Sequence, residues 1–492
     1  MKKLIGILTF SLMAVATVSC YDISPRDYDA LSPLSVSATS DTINVNLGTK
    51  LVYNDLNVES ATDVSYQWSY GAPAAGKQIS DHEFATMETI STSKTIDYAF
   101  PRVGSYILRL RVDNGSSIVF KYFTLNVNSG YDEGVAILSN DSEGKGALSF
   151  VKTLTPEEIA AGEQQVFFNI FSVEGKELRN GTALWMSDNT YKNVIYSGFL
   201  IATNDENATI YHMDCKTFEF FMSANMADYG SYCEEFGGEY AEDKSSFGCF
   251  FRSPDGRFFR YDMNGGFITE MTDLRMKIDR IVTGLTRTTA KAKSTRTPFF
   301  WNADTLGTRK TASAGNKYLN EEGWRIVTFA TKRQEKSTPG RVLVQSISDP
   351  TQYRIYGTTT SGTKLDSISA FTAPSVNIDC KSKFVNTTAS SDVYYVHENA
   401  IYRWNLSSAP SAKPAITLPS GEIIRDIATN YKGRAYSSDG EDLLYVATYN
   451  PQRSGEHKGS LFVYRFSDDS LASSYEGIFN DPVSVIYKYR IN

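Results

Sequence analysis

The side chains with the strongest chemical potential are carboxylates and tyrosines, and they crowd into residues 226–249. Tyr229, Tyr232, Glu234, Glu235 and Tyr240 stand there beside Asp228, Glu239, Glu242 and Asp243. Tyrosine rings cover the apolar faces of sugars while carboxylates accept hydroxyl hydrogens, so this stretch suits a polyhydroxylated ligand. We therefore take Tyr229, Tyr232, Glu234, Glu235 and Tyr240 as candidate ligand contacts. A solvated acidic loop is the plain alternative. Hard-cation binding is the other, although the alternating Asp/Asn spacing and central glycine of a calcium loop are missing.

Four cysteines follow Cys20, at Cys215, Cys233, Cys249 and Cys380. A disulfide between Cys233 and Cys249 would close the acidic insertion, but four thiols allow three complete pairings. No CxxC or HxxxH spacing points to zinc, and no metal or cofactor is expected. With only His82, His212, His397 and His457 present, there is no HExxH helix, GxSxG elbow or phosphate loop. No catalytic residue is assigned. A glycosidase needs only two carboxylates about 5–10 Å apart, which 56 acidic residues leave open. Ser253-Pro-Asp-Gly256 and Ser438-Asp-Gly440 read as hairpin turns. Residues 275–310 form a basic insertion carrying Lys277, Arg280, Lys291 and Arg296, and residues 451–458 a turn between two strands.

What must position these groups is a repeated strand. Residues 459–469, GSLFVYRFSDD, place a small turn residue before alternating apolar positions and a polar stop, the pattern of a half-buried antiparallel strand. Looser copies start at Gly146, Asn207, Gly256, Gly340 and Asn399, with successive separations of 61, 49, 84, 59 and 60 residues up to Gly459. The gap of 84 leaves room for a weaker copy near residues 299–304. A strand-and-turn unit of roughly 40–60 residues predicts a β-propeller of about six to eight blades over residues 134–492. A set of unrelated hairpins in a large sandwich is the alternative. Closure of such a ring requires the last strand, near residues 483–489, to pair close to the first, near residues 135–138. Thr155, Pro156 and Glu158 spell a capping box that starts one short helix.

The N-terminus reads as an export signal. Lys2 and Lys3 precede an apolar run over residues 4–18, and Ser19-Cys20 closes it, giving a signal peptide over residues 1–19. The ending TVSC resembles a bacterial lipoprotein box, which implies lipidation of Cys20. Acyl chains partition into a bilayer at about 0.8 kcal/mol per methylene, so the partner implied is a membrane, reached through residues 20–33 as a polar tether. The net charge is −7, or −7 − 2 = −9 without Lys2 and Lys3. That balance argues against general nucleic-acid binding.

Residues 34–128 read as a β-sandwich, with Trp68 and Tyr106 as core residues. Gly104, Tyr106, Leu108 and Leu110 in a glycine turn and alternating strand resemble the PKD-like, immunoglobulin-type domain. Lipobox, the sequence SCYD, tether, PKD-like module and β-rich remainder together resemble the PKD-like family of surface lipoproteins from gut Gram-negative anaerobes. That resemblance implies an all-β protein, lipid-anchored at the outer membrane and exposed at the cell surface. It further implies a TonB-dependent transporter, its substrate-binding lipoprotein and a polysaccharide or oligosaccharide as partners. Glycan binding without covalent chemistry is the expected role. A propeller hydrolase or lyase, or a structural subunit of the transporter complex, are the alternatives.

Overall fold

The computed structural model describes residues 32–47, 49–191, 194–241, 247–271, 280–283, 298–301, 323–331, 340–358, 365–379, 382–386, 392–430 and 442–489. The expected signal peptide, Cys20 and most of the tether lie outside them, as do most of the basic insertion, Cys380 and Ser438-Asp-Gly440. The chain divides after Asn128 into two compact units. One α-helix, Pro156–Ala161, and two single-turn 3-10 helices, Ile79–Asp81 and Ala227–Tyr229, interrupt an otherwise β architecture among the described residues. No helix in them is long and apolar enough to cross a membrane.

The first unit holds a five-stranded sheet in the order Thr42–Asn46, Ile118–Asn128, Gly104–Asp113, Ser65–Gly71, Glu88–Ser91. Two strand pairs accompany it, Leu34–Ser37 with Asn57–Ser60 and Lys50–Tyr53 with Ile96–Ala99. Strand alternation decides the core. Leu108, Leu110 and Val112 are fully buried, while Arg109 and Arg111 on the opposite face are only half-buried. Trp68 is wholly enclosed, 6.1 Å from the Tyr53 ring and 5.8 Å from that of Phe123, and its indole N–H donates to Lys94 O at 3.3 Å. Tyr106 packs edge-on against Tyr70 and donates its hydroxyl to Arg102 O at 3.1 Å.

The second unit is a β-propeller. Its described strands form seven sheets, six of them four-stranded antiparallel meanders and one, Arg280–Thr283 with Pro298–Trp301, two-stranded. We number these blades in chain order. The decisive pairing is in blade 1, where the C-terminal strand Asp481–Lys488 lies beside Gly134–Asn140 with Ile137 opposite Val485. The last strand therefore completes the first sheet as its inner strand, and the ring has no open edge at that point.

The repeated strand is present in the fold, but its copies do not all occupy the same position in their blades. Copies near Gly146, Asn207, Gly256, Asn399 and Gly459 fall on the third strand of blades 1, 2, 3, 6 and 7, whereas Gly340 opens the second strand of blade 5. The third strand of blade 5 begins at Gln352, so the step from Phe258 is 352 − 258 = 94 residues and spans two blades. The repeated strands also differ from the half-buried expectation. Thr209–Met213 and Gly340–Ser346 are buried at every position, and for Thr209–Met213 the cause is an apolar cluster on each face, Ile210 packing with blade 3 and Tyr211 and Met213 with blade 1.

Helix Pro156–Ala161 is stopped and started locally. Thr155 Oγ1 accepts from Glu158 N at 3.3 Å, Glu158 Oε2 accepts from Thr155 N at 2.9 Å, and Gly162 closes the helix at φ 67°. Lys152, 4% exposed, is neutralised there by Glu158 at 2.7 Å and Glu163 at 3.3 Å.

Candidate functional site

A four-stranded meander whose inner strands all run the same way sends two kinds of connection to one face: the second-to-third-strand turns and the links between blades. All three described cavities open among these connections. The largest, about 800 Å³, lies between blades 7 and 1; one of about 570 Å³ lies between blades 1 and 2; one of about 240 Å³ lies between blades 6 and 7.

The 800 Å³ groove is built from the blade 1 turn at residues 140–147, the blade 7 hairpin tip at 456–458 and the closing link at 478–481. Phe168 follows the two-residue outer strand Val166–Phe167 and is 55% exposed, its ring 6.3 Å from that of buried Phe479. Much of the remaining lining is held in place. Asp141 Oδ1 accepts from Glu143 N and Lys145 N, both at 2.8 Å, which fixes the turn. Asp481 takes both forks of Arg425 at 2.7 Å, and that guanidinium sits 5.2 Å from the Tyr449 ring centre. His457 Nδ1 lies 3.0 Å from Asn480 Oδ1. Glu143 and Glu456 project their carboxylates as exposed residues of the same groove. An exposed aromatic face among anchored polar groups can stack on an apolar ring face and hydrogen-bond to hydroxyls.

The smallest cavity is internally paired. Lys383 meets Asp426 at 2.7 Å, and His397 Nε2 lies 3.9 Å from Glu398 at the end of strand Val393–His397.

The residues singled out in the acidic insertion occupy the link into blade 3 and its inner strand Glu235–Ala241, and none lines these three cavities. Tyr229 is half-buried against the core, edge-on to Phe259 at 5.3 Å, with its hydroxyl donating to Ile268 O at 3.0 Å. Tyr232 packs on the same core, and burial followed by the charge of Glu234 raises its phenol pKa. Glu234 and Glu235 both engage Arg252, at 2.5 and 3.0 Å. The Tyr240 side chain lies outside the described residues. Cys233 and Cys249 are buried in one cluster with Met226 and Phe251 and are held as thiols rather than as the disulfide expected to close the insertion. Burial pushes the Cys233 thiol well up, withholding the thiolate through which oxidation proceeds. Ser253-Pro-Asp-Gly256 is a hairpin turn, with Gly256 at φ 82° and Ser253 Oγ bonded to Asp255. Among the described residues no group of three His, Cys, Asp or Glu is arranged to hold a metal ion.

Phe168, Tyr449 and Glu456 carry no sequence motif that marks them as site residues. The hairpin tip at 451–458 is the turn its sequence predicts, yet it delivers Glu456, His457 and Lys458 to the groove. The available signal was Phe167-Phe168-Asn169 inside a connection, where a second phenylalanine has no core to enter.

No family model matches the chain, and no curated protein matches it. Among solved structures it is similar to a quinoprotein alcohol dehydrogenase-like protein from Bacteroides thetaiotaomicron, at 14% identity and a TM-score of 0.43 over 92% of this chain and 99% of that one. It is also similar to a periplasmic gluconolactonase from Pseudomonas aeruginosa, at 7% identity and a TM-score of 0.44 over 73% and 99%. A protein of unknown function from Bacteroides thetaiotaomicron follows at 10% identity and a TM-score of 0.34 over 94% of each chain. The architecture itself rests on the strand pairing described above.

Proposed function

We propose that this chain is a lipoprotein of the outer membrane, anchored through Cys20, that binds a glycan without covalent chemistry as an accessory of a TonB-dependent uptake system. The first unit is read as its PKD-like domain and the propeller as its ligand-binding part. One observation carries the binding reading: the exposed Phe168 ring stands in an 800 Å³ groove with Tyr449, Glu143 and Glu456. Carbohydrate recognition uses this combination of ring face and fixed hydrogen-bonding groups.

The test is titration calorimetry of residues 21–492 against soluble plant, host and microbial polysaccharides. Saturable heat without new reducing ends supports binding. Reducing ends released in step with time would favour a second reading, a hydrolase, for which Glu143 and Glu456 are two exposed carboxylates in one groove. No heat across the panel, with co-purification of a transporter, would move the assignment to a protein-binding subunit.

A further inference from the structure

The 800 Å³ and 570 Å³ grooves are separated by one turn and the link packed against it. That turn, residues 141–145, forms a wall of the first groove, while the link at 175–180 that packs against it forms a wall of the second. The packing is tight. Asn180 N donates to Gly144 O at 2.7 Å, and a Cβ on Gly144, which is at φ 78°, would fall 2.1 Å from Asn180 Oδ1. Just below, the Asn140 amide exchanges two hydrogen bonds with Gly181, at 2.9 and 2.8 Å. Blades 1 and 2 therefore present one rigid ridge with a groove on each side.

The second groove has no exposed aromatic ring, but it is rich in amides. Asn180, Asn204, Asn207 and Asn225 line it, all exposed. An amide offers a donor and an acceptor together, which matches a hydroxyl that is itself both. Charge narrows the ligand further. With Asp481 neutralised by Arg425, the first groove carries Asp141, Glu143 and Glu456 against Lys145 and Lys458, and the second carries Glu177, Asp205 and Glu206 against Lys176 and Arg179. Both are net acidic, so a polyanionic chain would meet like charge in each.

We infer that the ligand is a neutral, linear glycan long enough to cross the 141–145 turn, with one end stacked at Phe168 and the other hydrogen-bonded in the asparagine-lined groove. The inference rests on the glycan-binding reading and adds length and charge to it. The probes are xylo-, cello- and malto-oligosaccharides of about two to eight units, titrated calorimetrically into residues 21–492 with polygalacturonate as the anionic comparison. Affinity should climb with length past the point where one groove is filled, and polygalacturonate should not bind. Asn207→Ala and Asn225→Ala should each weaken the longest oligomer by about fivefold, the equivalent of one hydrogen bond, with the loss shrinking as the oligomer shortens. An affinity that levels off at two or three units, or one that ignores both asparagine variants, overturns the spanning arrangement while leaving glycan binding intact. Preference for polygalacturonate overturns the charge argument. Absence of binding at every length overturns the glycan reading itself and this inference with it.

Discussion

Asp426 accepts the backbone N–H of Val485 on Oδ2 at 2.8 Å, tying the inner strand of blade 7 to the closing strand of blade 1 across 59 positions of sequence. Its other oxygen takes Lys383 at 2.7 Å and Ile427 N at 2.9 Å, so one carboxylate, only 11% exposed, links blade 7 to the strand that closes the ring. Removing it strands the Val485 N–H and leaves Lys383 without its counter-charge. Asp426→Ala should cost about 2–3 kcal/mol, the range for a charged hydrogen bond. Asp426→Asn, which keeps an acceptor for Val485, should cost less. Urea unfolding of the two variants checks the order, and an unchanged midpoint for Asp426→Ala would show that closure rests on the strand pairing alone.

His212 supplies a pH dependence. Its ring is 5% exposed, packed on Gly198 so closely that a Cβ there would come 2.3 Å from Nε2, with Phe221 at 5.3 Å and Tyr261 Oη 3.5 Å from Nδ1. Burial lowers its pKa from 6.5 to about 4, against a smaller opposing pull from Asp214. Between those two values the unfolded chain binds the proton and the folded chain does not, so stability falls as pH drops from 6.5 to 4. Over that window the loss approaches about 3 kcal/mol. His212→Gln should flatten this part of the stability profile, measured as urea midpoints at several pH values. An equal slope in both proteins would assign the acid sensitivity elsewhere.

How far the sequence foretold all this depends on what kind of signal each residue left. Gly459–Arg465 and its copies announced strands because buried strands must be apolar and their turns must be small, and that repetition was enough to predict a propeller. It was not enough to give the phase, since Gly340 and Gly146 start alike yet open the second and third strands of their blades. Residue type points to a different place from the largest groove. Tyr229 and Glu234 sit in a conspicuously polar stretch, but Ile268 and Arg252, which engage them, are distant in sequence. The groove at Phe168 is assembled from residues near 140, 168, 456 and 480, brought together only when the C-terminal strand closes the ring. No local pattern encodes that meeting.

The contrast between Phe168 and Tyr229 can be separated by experiment. Phe168 is 55% exposed, so its ring contributes little to the core, and Phe168→Ala should leave the unfolding midpoint within a few tenths of a kcal/mol of the parent. The same change removes the one exposed ring face of the groove and should weaken glycan binding by about tenfold, the scale of an aromatic contact. Tyr229→Phe is the converse. It deletes the hydroxyl that donates to Ile268 O at 3.0 Å and should cost about 1 kcal/mol of stability through an unsatisfied carbonyl. Its edge-on packing against Phe259 is retained, so binding in the groove between blades 7 and 1 should not change. Calorimetric binding and urea unfolding on both variants give four numbers. A loss of binding in Tyr229→Phe without one in Phe168→Ala would return the ligand to the acidic insertion at the entry to blade 3.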